Sequence, residues 1–304
     1  MSEMRDIRLR MKSIRDTRQI TNAMRLISAT KLRRARIQLN QAFPYFDRVR
    51  RTMAEILRYA SRWESRYFSK PEHEMQEHLN RGIILITGDK GLAGAYHHNI
   101  IKLAEMLAEN EPNHILYIVG HMGREHFIRQ HYHVNEEFEY SMHNPTAYLA
   151  RDMTDVIIRD FLNGKLDEVY IAYTYMVSSI RQEPRVLKLL PLEYTALKSE
   201  LGLTGADATP GHDTFEYEPT PEKVLEKLVP KYVKGILYGV MVEAFTCEQS
   251  ARMTSMKNAT DNADTMLDKL RMNYNRTRQD SITRELTEIT SGMEGLLGES
   301  GNLQ

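Results

Sequence analysis

Apolar side chains stepping by 3 and 4 residues run along both ends of this chain, and that pattern constrains the fold more than anything between them. Near the N-terminus Met4, Ile7, Met11 and Ile14 step by 3, 4 and 3, the seam of a coiled coil. No proline occurs before Pro44 and no glycine before Gly82. Arg, Ala, Met, Leu and Gln dominate the stretch, all good helix formers. One helix is therefore expected from residue 3 to about residue 60. Its register slips after Ile14, and Ile20, Met24 and Ile27 resume it with a 4, 3 step. Pro44 is expected to kink this helix, because it removes a backbone donor and crowds the preceding turn.

A second helix is expected over residues 222–296. Met253, Met256, Thr260, Ala263, Leu267, Leu270 and Tyr274 alternate steps of 3 and 4, and Ile282, Leu286, Ile289, Met293 and Leu296 do the same. The two stripes are joined through Arg278 by a jump of 8 residues. That is a stutter, which locally unwinds a supercoil. Gly235 and Gly239 fall on the same seam upstream, where small residues let backbones approach. Pro230 marks either a kink or the start of this helix. At about 1.5 Å per residue the two helices span roughly 85 Å and roughly 110 Å, too long for a compact domain of this mass. Each exposes a stripe that needs a mate, and the evident mate is the other helix. An antiparallel coiled coil joining the chain ends is the economical solution.

Charge divides along the same line. Residues 1–60 hold 15 Lys and Arg against 5 Asp and Glu, a net of +10, while the whole chain balances at 41 against 41. A basic arm on an acidic body implies an acidic partner, and nucleic acid or an acidic protein surface would serve. No run of about 18 apolar residues offers a membrane span, and the charged opening lacks the apolar core of a secretory signal. Cys247 is the single cysteine, which excludes an intrachain disulfide and fits a reducing compartment.

The middle of the chain has a different composition. Gly82–Thr87, His114–Gly120 and Val169–Tyr175 read as short apolar strands, with a fourth at Arg185–Leu190. Helical stretches near 93–108, 122–130 and 145–163 separate them. Strands alternating with helices predict a small parallel or mixed α/β sheet. The domain boundaries expected are 1–60 for the first helix, 61–81 for a linker, 82–200 for the α/β domain, 201–221 for a returning loop, 222–296 for the second helix and 297–304 for a flexible tail.

Catalytic signals are weak. The turn Gly88-Asp89-Lys90-Gly91-Leu92-Ala93-Gly94 follows a strand and opens a helix, a context that suits phosphate. It matches neither the Walker nor the dinucleotide glycine pattern, and a tight turn presented to a neighbour is the preferred reading. The closest histidine groups are His97-His98, His131 with His133, and His121 with His126, and none has zinc spacing. No catalytic residue, cofactor site or metal site is expected. A nucleic-acid-binding coiled coil, suggested by the basic arm, and a small nucleotide-binding enzyme, suggested by the turn, remain as alternatives.

Specific strings decide between them. Ile7-Arg8 followed by Ser13-Ile14-Arg15-Asp16-Thr17-Arg18-Gln19-Ile20-Thr21-Asn22-Ala23-Met24 resembles the opening helix of F-type ATP synthase gamma subunits, and Ala29 to Ala35 continues the match. The turn at Thr87–Gly94 is similar to that family's, with Gly88 standing between Thr87 and Asp89. Glu248 to Met253, Met256 to Ala263 and Tyr274 to Ile289 resemble the family's C-terminal helix most closely. The tail after Gly292 is longer and richer in glycine than usual, and the paired cysteines of the light-regulated plastid form are absent.

The resemblance implies an α/β protein with a long antiparallel coiled coil formed by the N- and C-terminal helices and a small central Rossmann-like domain. It implies the central rotor shaft of an ATP synthase, without chemistry of its own, coupling ion flow to ATP synthesis or hydrolysis. Its implied partners are three alpha and three beta subunits, the epsilon subunit and the membrane c-ring, with no nucleic acid. The implied place is the cytoplasmic face of a bacterial plasma membrane, peripheral to it. Matching residues imply that Met24, Arg25 and Arg252 meet Gln279, Thr283, Glu285 and Glu288 or the surrounding beta subunits. Lys31, Arg33, Arg34, Lys90 and Gly91 are expected to face acidic beta loops. Ile289, Met293 and Leu296 are expected at an apolar bearing.

Overall fold

The computed structural model describes residues 2–59, 65–68, 79–111, 113–178, 181–193, 218 and 220–300. The elements run α1 (Ser2–Tyr59), β1 (Arg81–Ile86), α2 (Tyr96–Asn110), β2 (His114–Val119), α3 (His121–Arg129), α4 (Ala147–Leu162), β3 (Glu168–Met176), β4 (Gln182–Leu190) and α5 (Pro221–Ser300). Most of the expected linker and returning loop, and residues 301–304 of the expected tail, lie outside the described residues. Pro44 and Pro230 both sit inside helices, so Pro230 does not start the second one. That helix also runs to Ser300, past its expected end at 296. The chain divides into two units, Met1–Ile27 with Met253–Gln304, and Ser28–Arg252.

In the first unit the two chain ends pair antiparallel. Arg8 donates to the Tyr274 hydroxyl at 2.7 Å and lies over its ring. Arg18 forms an ion pair with Asp264, and the hydroxyls of Thr21 and Thr260 meet at 2.8 Å. The residue numbers of each pair total 281 or 282, a constant that only an antiparallel register produces.

Burial corrects the expected seam. Ile20 and Ile27 are 60% and 55% exposed, whereas Thr21 and Ser28 are buried. The buried and half-buried positions therefore pass from Ile14 to Thr21, Arg25 and Ser28, with exposed Arg18 holding the intervening step through its ion pair with Asp264. Small polar residues hold seam positions because the facing hydroxyls satisfy each other, and Thr21 also donates to the carbonyl of Arg18. The stutter through Arg278 also disappears. After Tyr274 the half-buried positions are Thr277 and Ser281, which keep the rhythm. Ile282, Leu286 and Ile289 are exposed instead. They lie beyond the residues of α5 that the register places opposite the first residues of α1.

The second unit is layered. Its four strands run in the order β2-β1-β3-β4, with β1 parallel to β2 and β3 and with β4 antiparallel to β3. Alternate residues of β1 face opposite layers, as the pleat requires. Ile83 and Leu85 pack with Ile100 and Ala104 of α2 and Phe127 of α3. Ile84 and Ile86 join a larger core with Met153, Ile157 and Phe161 of α4, Met53 and Ile56 of α1, and Leu237 and Met241 of α5. Burial on both faces explains why these strands read as unbroken apolar runs. Where α1 crosses α5, a Cβ at Gly235 would lie 2.6 Å from the Phe46 ring. Glycine here is a requirement of close approach.

Candidate functional site

The turn after β1 is held by many contacts within the second unit. Thr87 donates to the carbonyl of Val119 at 2.8 Å and accepts from the Gly123 amide at 3.1 Å, which ties the end of β1 to β2 and α3. The chain then turns through two left-handed residues, Leu92 at φ 65° and Gly94 at φ 58°. Leu92 is 60% exposed. A non-glycine residue with positive φ is uncommon, and such strain persists where surrounding contacts over-determine it.

Those contacts come from α5. Arg252, 9% exposed, donates from Nε and Nη2 to the carbonyl of Gly91, each at 3.1 Å, and from Nη2 to the carbonyl of Lys90. The same nitrogen reaches Glu248 Oε1 at 2.6 Å. A guanidinium suits this arrangement because its donors are fixed in one plane. Glu248, one helical turn earlier, is 4% exposed. Burial pushes its carboxyl above the ordinary value, and the charge and hydrogen bond of Arg252 act against that rise. A Cβ on Gly88 would lie 2.5 Å from this carboxylate, so any side chain here would have to displace it. His97 Nε2 also donates to the carbonyl of Lys90 at 3.1 Å. The tautomer follows from the carbonyl, which can only accept.

Further ties hold the same stretch of α5. The Tyr96 hydroxyl donates to the carbonyl of Ala244 at 3.0 Å, and Gln182 Nε2 donates to the carbonyl of Cys247 at 3.0 Å. The Met176 amide donates to Glu243 at 3.3 Å, while burial pushes the Glu243 carboxyl up. Cys247 is fully buried against Ala93 and Tyr96. Desolvation, then the charge of Glu243, raises its thiol to about 12, which disfavours the thiolate that a nucleophile needs.

Phosphate binding finds little support in this geometry. The carboxylate of Glu248 fills the space beside Gly88. Asp89 accepts from the His121 amide at the start of α3 at 3.2 Å and from Ser141 Oγ at 2.6 Å. Carboxylates thus occupy positions that a phosphate would need, and like charges repel. Among the described residues, no group of three or more His, Cys, Asp and Glu is arranged to hold a metal ion. No helix among them is long and apolar enough to cross a membrane.

The candidate residues fall into separate places. Arg33, Arg34 and Lys90 are exposed, and Lys31 is half-buried within electrostatic reach of Glu248. The Gly91 carbonyl is taken by Arg252. Met24 is half-buried, and Arg25 donates to Asn22 Oδ1 at 3.1 Å on its own helix. Gln279, Thr283, Glu285 and Glu288 are exposed, and Thr283 donates to the carbonyl of Gln279. The register sets Met24 and Arg25 opposite residues near 257. Gln279 is then about 30 Å further along the axis at 1.5 Å per residue. The expected meeting of Met24 and Arg25 with Gln279, Thr283, Glu285 and Glu288 does not occur, which leaves partner contact as the remaining expectation for them. Ile289 is exposed, and the side chains of Met293 and Leu296 lie outside the described residues. Glu248 was missed from the sequence, although its spacing of four from Arg252 is the ordinary signal of a helical ion pair.

Comparisons with known proteins agree over nearly the whole chain. A family described as ATP synthase matches residues 3–296. The ATP synthase gamma chain of Acetivibrio thermocellus is 48% identical over 296 residues, covering 97% of this chain and 100% of the relative. That of Ruminiclostridium cellulolyticum is also 48% identical, covering 97% and 99%. Among solved structures, a chain of the Euglena gracilis mitochondrial ATP synthase, described as OSCP/F1/c-ring in rotational state 3, superposes with a TM-score of 0.68 at 16% identity, covering 98% of this chain and 96% of that one.

Proposed function

The chain belongs to the ATP synthase gamma-chain family, and on that premise we propose that it is the central rotor shaft of an F-type ATP synthase. It couples ion flow through the membrane rotor ring to conformational cycling of the catalytic beta subunits. The observation that carries this reading is the antiparallel pairing of the two chain ends in constant register. A pair of hydrogen-bonded helices suits the transmission of torque.

The physical logic is differential contact. One asymmetric shaft inside a ring of three alpha and three beta subunits meets chemically identical catalytic sites with different faces. Each angle favours a different conformation, and so a different nucleotide affinity, in each site. Rotation cycles those preferences. The chain contributes no catalytic group in this reading, and the deactivated thiol of Cys247 and the occupied turn at Gly88 support that division of labour. The exposed stripe of Ile282, Leu286 and Ile289 supports an apolar bearing, which Met293 and Leu296 would extend. Exposed Lys90, Arg33 and Arg34, with half-buried Lys31 close to the last two in sequence, suit acidic loops of the beta subunits. Gln279, Thr283, Glu285 and Glu288, with Met24 and Arg25, suit further ring contacts. The epsilon subunit and the c-ring meet the other end of the shaft, and the complex sits at the cytoplasmic face of a bacterial plasma membrane.

Reconstitution tests this directly. Purified alone, the chain is expected to hydrolyse no ATP. Combined with alpha and beta subunits and gamma-depleted membranes, it is expected to restore ATP-driven ion pumping. Turnover by the isolated chain, or failure to join the two subunits, would overturn the reading.

A further inference from the structure

We propose that Arg252 and Glu248 act as positioning residues, a buried clamp on α5 that sets the angle at which the exposed Lys90 and Leu92 side chains meet a neighbouring subunit. The inference rests on the rotor reading above and assigns Arg252 a different task from direct contact with the ring.

Geometry supports this assignment. The guanidinium is nearly buried and its hydrogen bonds go inward, to the carbonyls of Lys90 and Gly91 and to Glu248. Those carbonyls lie along the chain between Lys90 and Leu92, the two residues whose side chains are exposed. Leu92 combines a left-handed backbone with a large exposed apolar side chain. Neither feature favours the fold, so the clamp is what holds them. Glu248 completes it by filling the space beside Gly88 and fixing the guanidinium plane. His97 also donates to the Lys90 carbonyl. A cation beside an apolar tip fits a protein surface that offers a carboxylate next to an apolar recess. A small misplacement of such a group costs on the order of tenfold or more in a process that depends on orientation.

The test uses the reconstituted complex and reads ions pumped per ATP hydrolysed, a ratio that simple loss of assembly does not change. Arg252→Lys and Glu248→Gln are each expected to lower the ratio by about tenfold in complexes of normal subunit content. Combining either with Lys90→Ala is expected to add little, because both act through the same turn. Conversely, an Arg252 that touched the ring itself would leave Glu248→Gln coupled like the wild type and make Arg252→Lys additive with Lys90→Ala, and that result overturns the proposal. Should Glu248→Gln fail to assemble, Gly88→Ala displaces the same carboxylate and carries the same expectation. If the unaltered chain itself confers no pumping, the rotor reading fails. If it pumps and both clamp variants pump equally well, only the clamp fails.

Discussion

The hydroxyls of Thr21 and Thr260 lie 2.8 Å apart across the paired helices, at a seam position where an apolar residue would be the ordinary choice. Each also contacts a carbonyl of its own helix, Thr21 that of Arg18 and Thr260 that of Met256. Two hydrogens therefore serve three contacts. Removing one hydroxyl leaves its partner short of a bond, whereas replacing both by groups of the same shape is nearly neutral. Thr21→Val and Thr260→Val are each expected to cost about 1 kcal/mol, and the double variant no more than either. Denaturant unfolding of the three variants checks this, and strictly additive losses would contradict it.

Cys247 is expected to be chemically silent in the folded chain. Its thiol is fully buried and raised to about 12 by desolvation and then by Glu243. A thiol reagent at mildly alkaline pH should modify the native protein far more slowly than the urea-unfolded chain. Equal rates would show that the stretch of α5 packed on Ala93 and Tyr96 opens readily.

Acid sensitivity should centre on Glu168. Burial pushes its carboxyl up, but hydrogen bonds from Arg81, Lys188 and Tyr170 together with the Lys188 charge bring it below its ordinary value of 4.5. A folded-state value below the unfolded one means that the unfolded chain binds more protons in that window. The stabilisation is therefore present above 4.5 and is lost as pH falls through the lower folded value. Melting temperature should drop on acidification across this range, and Glu168→Gln should flatten the drop. An unchanged acid limb in the variant would remove Glu168 from this role.

Close approach at Gly235 makes a further prediction. A Cβ there meets the Phe46 ring, so Gly235→Val forces the ring aside at about 2 kcal/mol. Phe46→Leu in the same chain should relieve part of that cost. Stability losses that simply add would mean the two residues do not share space.

Much of the fold was legible because the signals were local. The apolar runs at Gly82–Thr87 and Val169–Tyr175 became β1 and β3 since burial on both faces leaves no polar alternation to confuse them. The seam was misread at Ile20 and Ile27, and again at Arg278, for one reason. Apolar pattern alone picks isoleucine over threonine and serine at seam positions, and at Thr21 it cannot see the facing hydroxyl of Thr260. Ile282 looked like a seam residue because nothing in the sequence shows where the partner helix stops. At the site, Lys90 and Arg252 were found as separate strings. Their contact joins residues about 160 apart in sequence, a closure that no local period encodes, and Glu248 went unnoticed as its consequence.

A shaft of this kind must rotate when ATP is hydrolysed around it. Tyr148 on α4 is 65% exposed, so Tyr148→Cys offers an attachment point for a bead while buried Cys247 stays unlabelled. With alpha and beta subunits fixed to a surface, ATP is expected to turn the bead continuously in one direction. A complex that hydrolyses ATP at full rate while the bead merely fluctuates about one angle would contradict the account.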